Sequence, residues 1–214
     1  MNNEFGTYLV TQGSCSRGRT TEDVVAAAIA GGVDVVQLRE KGATARERYR
    51  LGRALREQTR EADVTYLVND RVDIAAAVDA DGVHLGDEDL PVAAARDVLG
   101  DEGIVGRSVS SVTAARRAVQ AGADYLGVGA VYATDSKDVR EEHAEIGPDT
   151  VAAIADAVDV PLVGIGGITT ANAGDVIEAG AGGVAVVSAI TAADDPEEAT
   201  RELADAVRAA GERP

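Results

Sequence analysis

Short runs of apolar, often β-branched residues recur along the chain. Each is followed by a longer Ala-rich stretch in which charges interrupt the apolar positions at helical spacing. The runs fall at residues 8–10, 33–38, 65–68, 82–85, 104–106, 125–128, 162–165 and 184–187. Most are apolar almost throughout rather than at every second position, which is the pattern of parallel strands covered on both faces. Helices are predicted over Thr21–Ala30, Ala45–Glu61 and residues 91–99, 112–121, 150–157, 171–179 and 196–210, with a weaker one over 73–77. Thr20 or Thr21 supplies an N-cap for the first, and Pro196 with Glu197 and Glu198 opens the last. Steps such as Ala30-Gly31, Ala121-Gly122 and Ala179-Gly180 suit helix ends that turn left-handed before the next strand.

Alternation of strand and helix predicts an α/β protein built on a parallel sheet. Eight such units in 214 residues fit a (β/α)8 TIM barrel forming a single domain over residues 1–214. An open doubly wound sheet would begin with a glycine-rich fingerprint, whereas Thr11-Gln12-Gly13-Ser14 follows the first strand here. The polar segment 132–147 is long for a strand-to-helix connection and is expected to form a mobile active-site loop.

Charge narrows the function. Asp and Glu number 37 against 20 Lys and Arg, a formal net charge of −17, and the acidic residues are spread along the chain. Such a surface repels phosphate backbones, so nucleic acid is excluded as a partner. Lysine occurs only at Lys41 and Lys137, aromatic residues make up 3%, and Ala and Val dominate the apolar set. Abundant acid, scarce lysine and small apolar side chains resemble proteins of salt-loving organisms, where a Debye length of about 3 Å at 1 M salt screens the repulsion. No apolar run approaches the ~20 residues of a membrane span, and the first residues lack a signal-peptide layout. A lone Cys15 excludes an intrachain disulfide and suits a reducing interior. The reading is a soluble cytoplasmic protein with no membrane or nucleic-acid partner, and a homo-oligomer is compatible with it.

In a barrel, chemistry gathers just after the strands, at their C-terminal ends. After the second strand stands Gln37-Leu38-Arg39-Glu40-Lys41. Alternation in an extended chain puts Gln37, Arg39 and Lys41 on one face, two cations and an amide suited to diphosphate oxygens. A solvated strand end forming surface ion pairs is the plainer alternative. Asn69-Asp70 follows the third strand, and His84 through Asp89 the fourth. Asp70 and Asp89 suit Mg2+, which takes one or two carboxylates plus water and phosphate oxygens, although loop aspartates are also common turn formers and caps. His84 is either a base or a hydrogen-bonded structural histidine, and His143 is assigned no role. Ser108 follows the fifth strand. Thr134-Asp135-Ser136-Lys137, with the second lysine, follows the sixth. Gly166-Gly167 after the seventh strand and Val187-Ser188 after the eighth occupy the frequent phosphate site of this fold.

Taken in order, Val36 through Lys41, Asn69-Asp70, Gly82 through Asp89, Gly127 through Lys137, Gly164 through Ile168 and Val187 through Ile190 resemble the thiamine-phosphate synthase (thiamine-phosphate pyrophosphorylase) family over nearly the whole chain. The resemblance implies a transferase in which the thiazole phosphate nitrogen displaces pyrophosphate from the hydroxymethylpyrimidine diphosphate, giving thiamine phosphate. It further implies that Gln37, Arg39, Lys41, Asn69, Ser108 and Lys137, within a substrate-binding set that includes Leu38, Glu40 and Asp135, bind the pyrimidine diphosphate. Asp70 and Asp89 would then hold Mg2+, and Thr134, Ser136, Gly166 or Gly167, Val187 and Ser188 would bind the thiazole phosphate. Of these, Arg39, Lys41, Lys137 and Ser108 would act in catalysis, the cations by neutralising the departing pyrophosphate, with no protein nucleophile required. The chain departs from the family pattern at Ala130 and Ala133, where proline is common.

Two alternatives share parts of the pattern. Thiazole tautomerase relatives keep the late motifs but carry a histidine where this chain has Ala130. A non-catalytic phosphate-binding barrel would need only Gly166, Gly167 and Ser188, leaving Asp70, Asp89 and Lys137 without a task. A phosphosugar isomerase or aldolase would need a proton-transfer or Schiff-base residue, and no pairing in the sequence stands out for one.

Overall fold

The computed structural model describes residues 5–134 and 145–212. Asp135, Ser136, Lys137 and most of the expected active-site loop lie outside the described residues. Along the chain run β1 (Gly6–Val10), α1 (Thr21–Ala30), β2 (Val35–Leu38), α2 (Ala45–Glu61), β3 (Thr65–Asn69) and α3 (Val72–Val78). They continue through β4 (Gly82–Leu85), α4 (Val92–Leu99), β5 (Ile104–Val109), α5 (Val112–Gln120) and β6 (Tyr125–Val128). The last elements are α6 (Gly147–Ala155), β7 (Leu162–Ile165), α7 (Ala173–Glu178), β8 (Gly183–Val186), α8 (Ser188–Thr191) and α9 (Pro196–Gly211). Strands pair in parallel with their sequence neighbours, and β8 closes on β1. The result is the eight-stranded barrel expected from the strand–helix alternation.

Period-two geometry divides each apolar run between two cores. Tyr8, Val10, Val35, Leu67, Tyr125, Val163 and Ala185 form the inner cluster that fills the barrel. Strand residues on the other face, among them Leu9, Val36, Tyr66, Val83, Val105, Leu126 and Val184, belong to the outer cluster shared with the helices. Glycines make room inside. A Cβ at Gly106 would stand 2.2 Å from ring carbons of Tyr125, and one at Gly127 would stand 2.7 Å from Cε1 of His84.

The opposite pole is held by a repeated device. Asp34, Asp81 and Asp124 each sit one residue before an even-numbered strand. Each carboxylate accepts a backbone N–H from the start of the preceding strand: Thr7 N at 2.8 Å, Tyr66 N at 2.7 Å and Val105 N at 2.7 Å. Asp81 also receives both guanidinium nitrogens of Arg56, at 3.0 and 2.8 Å, and Asp124 receives Arg96 Nη2 at 2.5 Å. These charge-assisted bonds fix the strand starts on the side away from the chemistry.

Several boundaries shift from the sequence expectation. The β5 strand runs on to Val109, so Ser108 lies within a strand rather than after one. The apolar run ends at Gly106, but the glycine is there to accommodate Tyr125. The α6 helix begins earlier than expected because Pro148 is accepted in its first turn. The cap of α1 is Thr20, which accepts from Asp23 N, and Asp195 caps α9 ahead of Pro196. The short α8 after β8 was not foreseen, because four residues carry no readable period.

Candidate active site

A cavity of about 660 Å³ opens at the C-terminal ends of the strands. Gln37, Arg39, Asn69 and Ser108 line one part of it, and Thr134, Gly166, Gly167, Val187 and Ser188 another. No carboxylate lines it among the described residues, and Arg39 contributes a permanent cation. A net charge of −17 on the chain therefore stops short of this lining.

The row after β2 separates into distinct roles. Gln37 is buried, with its amide nitrogen 2.5 Å from the Tyr8 hydroxyl. Arg39 points into the cavity, and its Nη1 donates to Gln12 Oε1 at 2.7 Å. Between them Leu38 turns outward into the helix-facing core, so a ligand reaches only its backbone. The Glu40 carboxylate accepts from Gly13 N at 3.0 Å and Thr21 Oγ1 at 3.1 Å, which ties the β1 loop to α1. Lys41 shares the Asp70 neighbourhood with Arg39 but does not reach the cavity lining. It lies in the turn beyond the strand, half exposed, and its Nζ comes within 3.7 Å of Asp70 Oδ2.

The two predicted metal ligands do meet. Asp70 takes a left-handed backbone, φ +62°, while its N–H donates to the His84 carbonyl at 2.8 Å. Asp89 Oδ2 accepts from Gly86 N at 2.6 Å, which aims it toward β3. Burial pushes the Asp70 carboxyl up to about 6, and the adjacent Asp89 carboxyl pushes it further the same way, against the pull of Lys41 and Arg39. Two hard oxygen donors held this close, with Lys41 and Arg39 offsetting their repulsion only in part, fit a small divalent cation. Among the described residues no third acidic, His or Cys side chain joins them. That matches an ion that keeps water and substrate oxygens in its remaining positions.

Half-way round the barrel, Gly166 and Gly167 have φ +103° and +63°. A Cβ on Gly167 would meet the Ala133 carbonyl oxygen at 2.4 Å, and one on Gly166 would meet Ala130 Cβ at 2.6 Å. Both conformation and space therefore require glycine, and the turn exposes backbone to the cavity.

The thiamine monophosphate synthase family matches residues 7–190 of this sequence. A thiamine-phosphate synthase of Haloquadratum walsbyi is 65% identical over 207 residues, covering 97% of this chain and 93% of that protein. One from Haloarcula marismortui is 64% identical over 205 residues, covering 95% and 97%. Both sources are halophilic archaea. A thiamine phosphate pyrophosphorylase from Pyrococcus furiosus superposes with a TM-score of 0.88 at 40% identity, covering 97% of this chain and 98% of that one.

The chain belongs to the thiamine monophosphate synthase family. It is therefore an enzyme, a transferase of thiamine biosynthesis, and the acidic composition has its counterpart in halophilic members of the family. Among the described residues no helix is long and apolar enough to cross a membrane.

Family motifs account for the rim of the site but leave its floor unexplained. Tyr8, Tyr125 and His84 lie below Gln37 and Ser108 and join them by hydrogen bonds. Sequence reasoning left His84 open and passed over both tyrosines, which stand 117 residues apart. The available signal was polar tips on inward positions of strands whose other inward residues are aliphatic.

Proposed function

We propose that this enzyme joins 4-amino-2-methyl-5-(diphosphooxymethyl)pyrimidine to 4-methyl-5-(2-phosphoethyl)thiazole, releasing pyrophosphate and forming thiamine phosphate in the cytoplasm. The observation that carries the reading is a single cavity with two anion-binding walls. Arg39 belongs to one wall, with the Asp70–Asp89 pair outside the lining but within reach of its charge, and the Gly166-Gly167 turn with Ser188 forms the other.

In this reading Gln37, Asn69 and Ser108 hold the aminopyrimidine ring, and Arg39 with Lys41 faces its diphosphate. The glycine turn, Val187, Ser188 and Thr134 hold the thiazole phosphate, whose ring nitrogen is then aimed at the pyrimidine methylene carbon. The carbon–oxygen bond to pyrophosphate breaks, its electron pair leaves with the diphosphate, and the thiazole nitrogen supplies the pair for the new carbon–nitrogen bond. Asp70 and Asp89 would hold Mg2+, which when bound offsets charge on the diphosphate oxygens. Cations placed where negative charge develops are the main catalytic device here, and no protein nucleophile is needed. Lys137, Ser136 and Asp135 complete the set by family resemblance. Ala130 lines the cavity without a titratable group, so the tautomerase alternative lacks a base at that position.

Pyrophosphate release is the direct test, measured in high salt with Mg2+ and both heterocycles. Release is expected to require both substrates, to stop on adding chelator, and to fall about 100-fold or more in Lys137→Ala, about 3 kcal/mol of leaving-group stabilisation. Release from the pyrimidine alone, or undiminished turnover in the variant, would overturn the assignment. Turnover is also expected to persist toward molar salt, where the repulsion between anionic substrates and the −17 surface is screened. A steep fall across that range would contradict it.

A further inference from the structure

Five polar side chains that line the cavity run in one hydrogen-bonded line along its floor. Gln37 Nε2 donates to the Tyr8 hydroxyl at 2.5 Å, and the Tyr8 and Tyr125 hydroxyls are 3.0 Å apart. Tyr125 lies 2.8 Å from His84 Nδ1, and His84 Nε2 lies 2.8 Å from Ser108 Oγ. Both tyrosines are buried, and burial pushes their phenols well above the ordinary range, so each stays a neutral hydroxyl with one proton to give. Gly106 and Gly127 hold the rings of Tyr125 and His84 at positions where any Cβ would collide.

Proton counting gives the line a direction. An amide nitrogen can only donate, so the Tyr8 oxygen accepts from Gln37 and its own proton must go to Tyr125. Tyr125 then gives its proton to His84 Nδ1, which places the remaining ring proton on Nε2. That proton goes to Ser108 Oγ, whose hydroxyl proton is left to point at a ligand. The amide fixes the first bond and each later proton is placed by the one before it, so the ends of the line are coupled although they lie on different strands.

We propose that Tyr8, Tyr125 and His84 are positioning residues that hold Ser108 as a hydrogen-bond donor and Gln37 Oε1 as an acceptor toward the substrate ring. Such a site selects a heterocycle presenting a donor to Gln37 and an acceptor to Ser108. Identifying that heterocycle as the aminopyrimidine rests on the function proposed above, whereas the direction of the line does not.

The experiment reads the two separately. In ligand-free protein, with the ring neutral, the nitrogen shifts of His84 identify its tautomer, the signals being assigned by their loss in His84→Gln. The Nε2–H form is expected in the unmodified enzyme. Tyr8→Phe should leave a mixture, because the Tyr125 hydroxyl is no longer held in one direction. Tyr66→Phe is the control, since its buried hydroxyl has no hydrogen-bond partner among the described residues, and it should leave the tautomer unchanged. An Nδ1–H ring in the unmodified enzyme, or a tautomer indifferent to Tyr8→Phe, would overturn the directional line. In turnover, Tyr8→Phe should raise KM for the pyrimidine diphosphate about tenfold, the scale of one lost oriented hydrogen bond, while KM for the thiazole phosphate stays put. Equal changes in both constants, or none, would remove the positioning role. An unmodified enzyme without turnover would count against the reaction and leave the tautomer result standing.

Discussion

Asp70→Asn is expected to reduce turnover by about 100-fold or more, because a metal-assisted leaving group draws several kcal/mol from charge at this position and each 1.4 kcal/mol is a factor of ten. The substitution is chosen for its backbone. Asp70 sits at φ +62°, a conformation that asparagine tolerates well, so the variant should fold. It also removes one of two adjacent carboxyls, so Asp89 loses a neighbour that crowds it. The loss should therefore appear as a much higher Mg2+ concentration for half-maximal rate, with thermal stability held or slightly raised. Turnover that saturates at the same Mg2+ concentration as the unmodified enzyme would remove Asp70 from the metal site.

Gly82→Ala is expected to cost about 3 kcal/mol of stability, the upper part of the usual overpacking range, because the obstacle is backbone. A Cβ there would stand 2.0 Å from the Ile104 carbonyl oxygen and 2.7 Å from the carbon behind it. Gly82 and Ile104 are partners in register between β4 and β5, so relief requires those strands to separate. At about 2–4 °C per kcal/mol for a chain of this size, the melting temperature should fall by roughly 6–12 °C at fixed salt. Gly211→Ala at the end of α9 has nothing within 4 Å of its new methyl and should leave it unchanged or slightly higher. Equal melting temperatures for Gly82→Ala and the unmodified enzyme would show that the strand pair yields more easily than its geometry implies.

The barrel and the rim of the site are legible in sequence for a simple reason. Parallel strands buried on both faces must be apolar almost throughout, and the residues just past them are the first that can be polar. Gln37, Arg39, Asn69, Asp70 and the Gly166-Gly167 pair stand out on that account. Ser108 falls after the strand in sequence because the apolar run ends at Gly106, whose missing side chain is needed by the Tyr125 ring. Lys41 stands outside the cavity lining because β2 stops at Leu38 and the chain turns before reaching it. Glu40 and Leu38 belong to the same run of sequence as the ligand-facing residues, yet one carboxylate and one side chain are committed elsewhere. The line from Gln37 to Ser108 depends on five strands meeting at one level of the barrel, which no local pattern announces.

The aspartates before β2, β4 and β6 have a consequence for redesign. They brace β1 to β2, β3 to β4 and β5 to β6, while before β8 the matching place holds Gly182, whose N–H donates to the Leu162 carbonyl of β7 at 2.9 Å. The cavity opens at the other rim. A designer who exchanges the rim loops for those of an unrelated catalyst leaves these braces untouched, so the scaffold should accept new chemistry with little loss of folding. The same designer who wishes to open the barrel should cut at the β7–β8 seam, where the fourth pair of strand starts has glycine in place of the bracing aspartate.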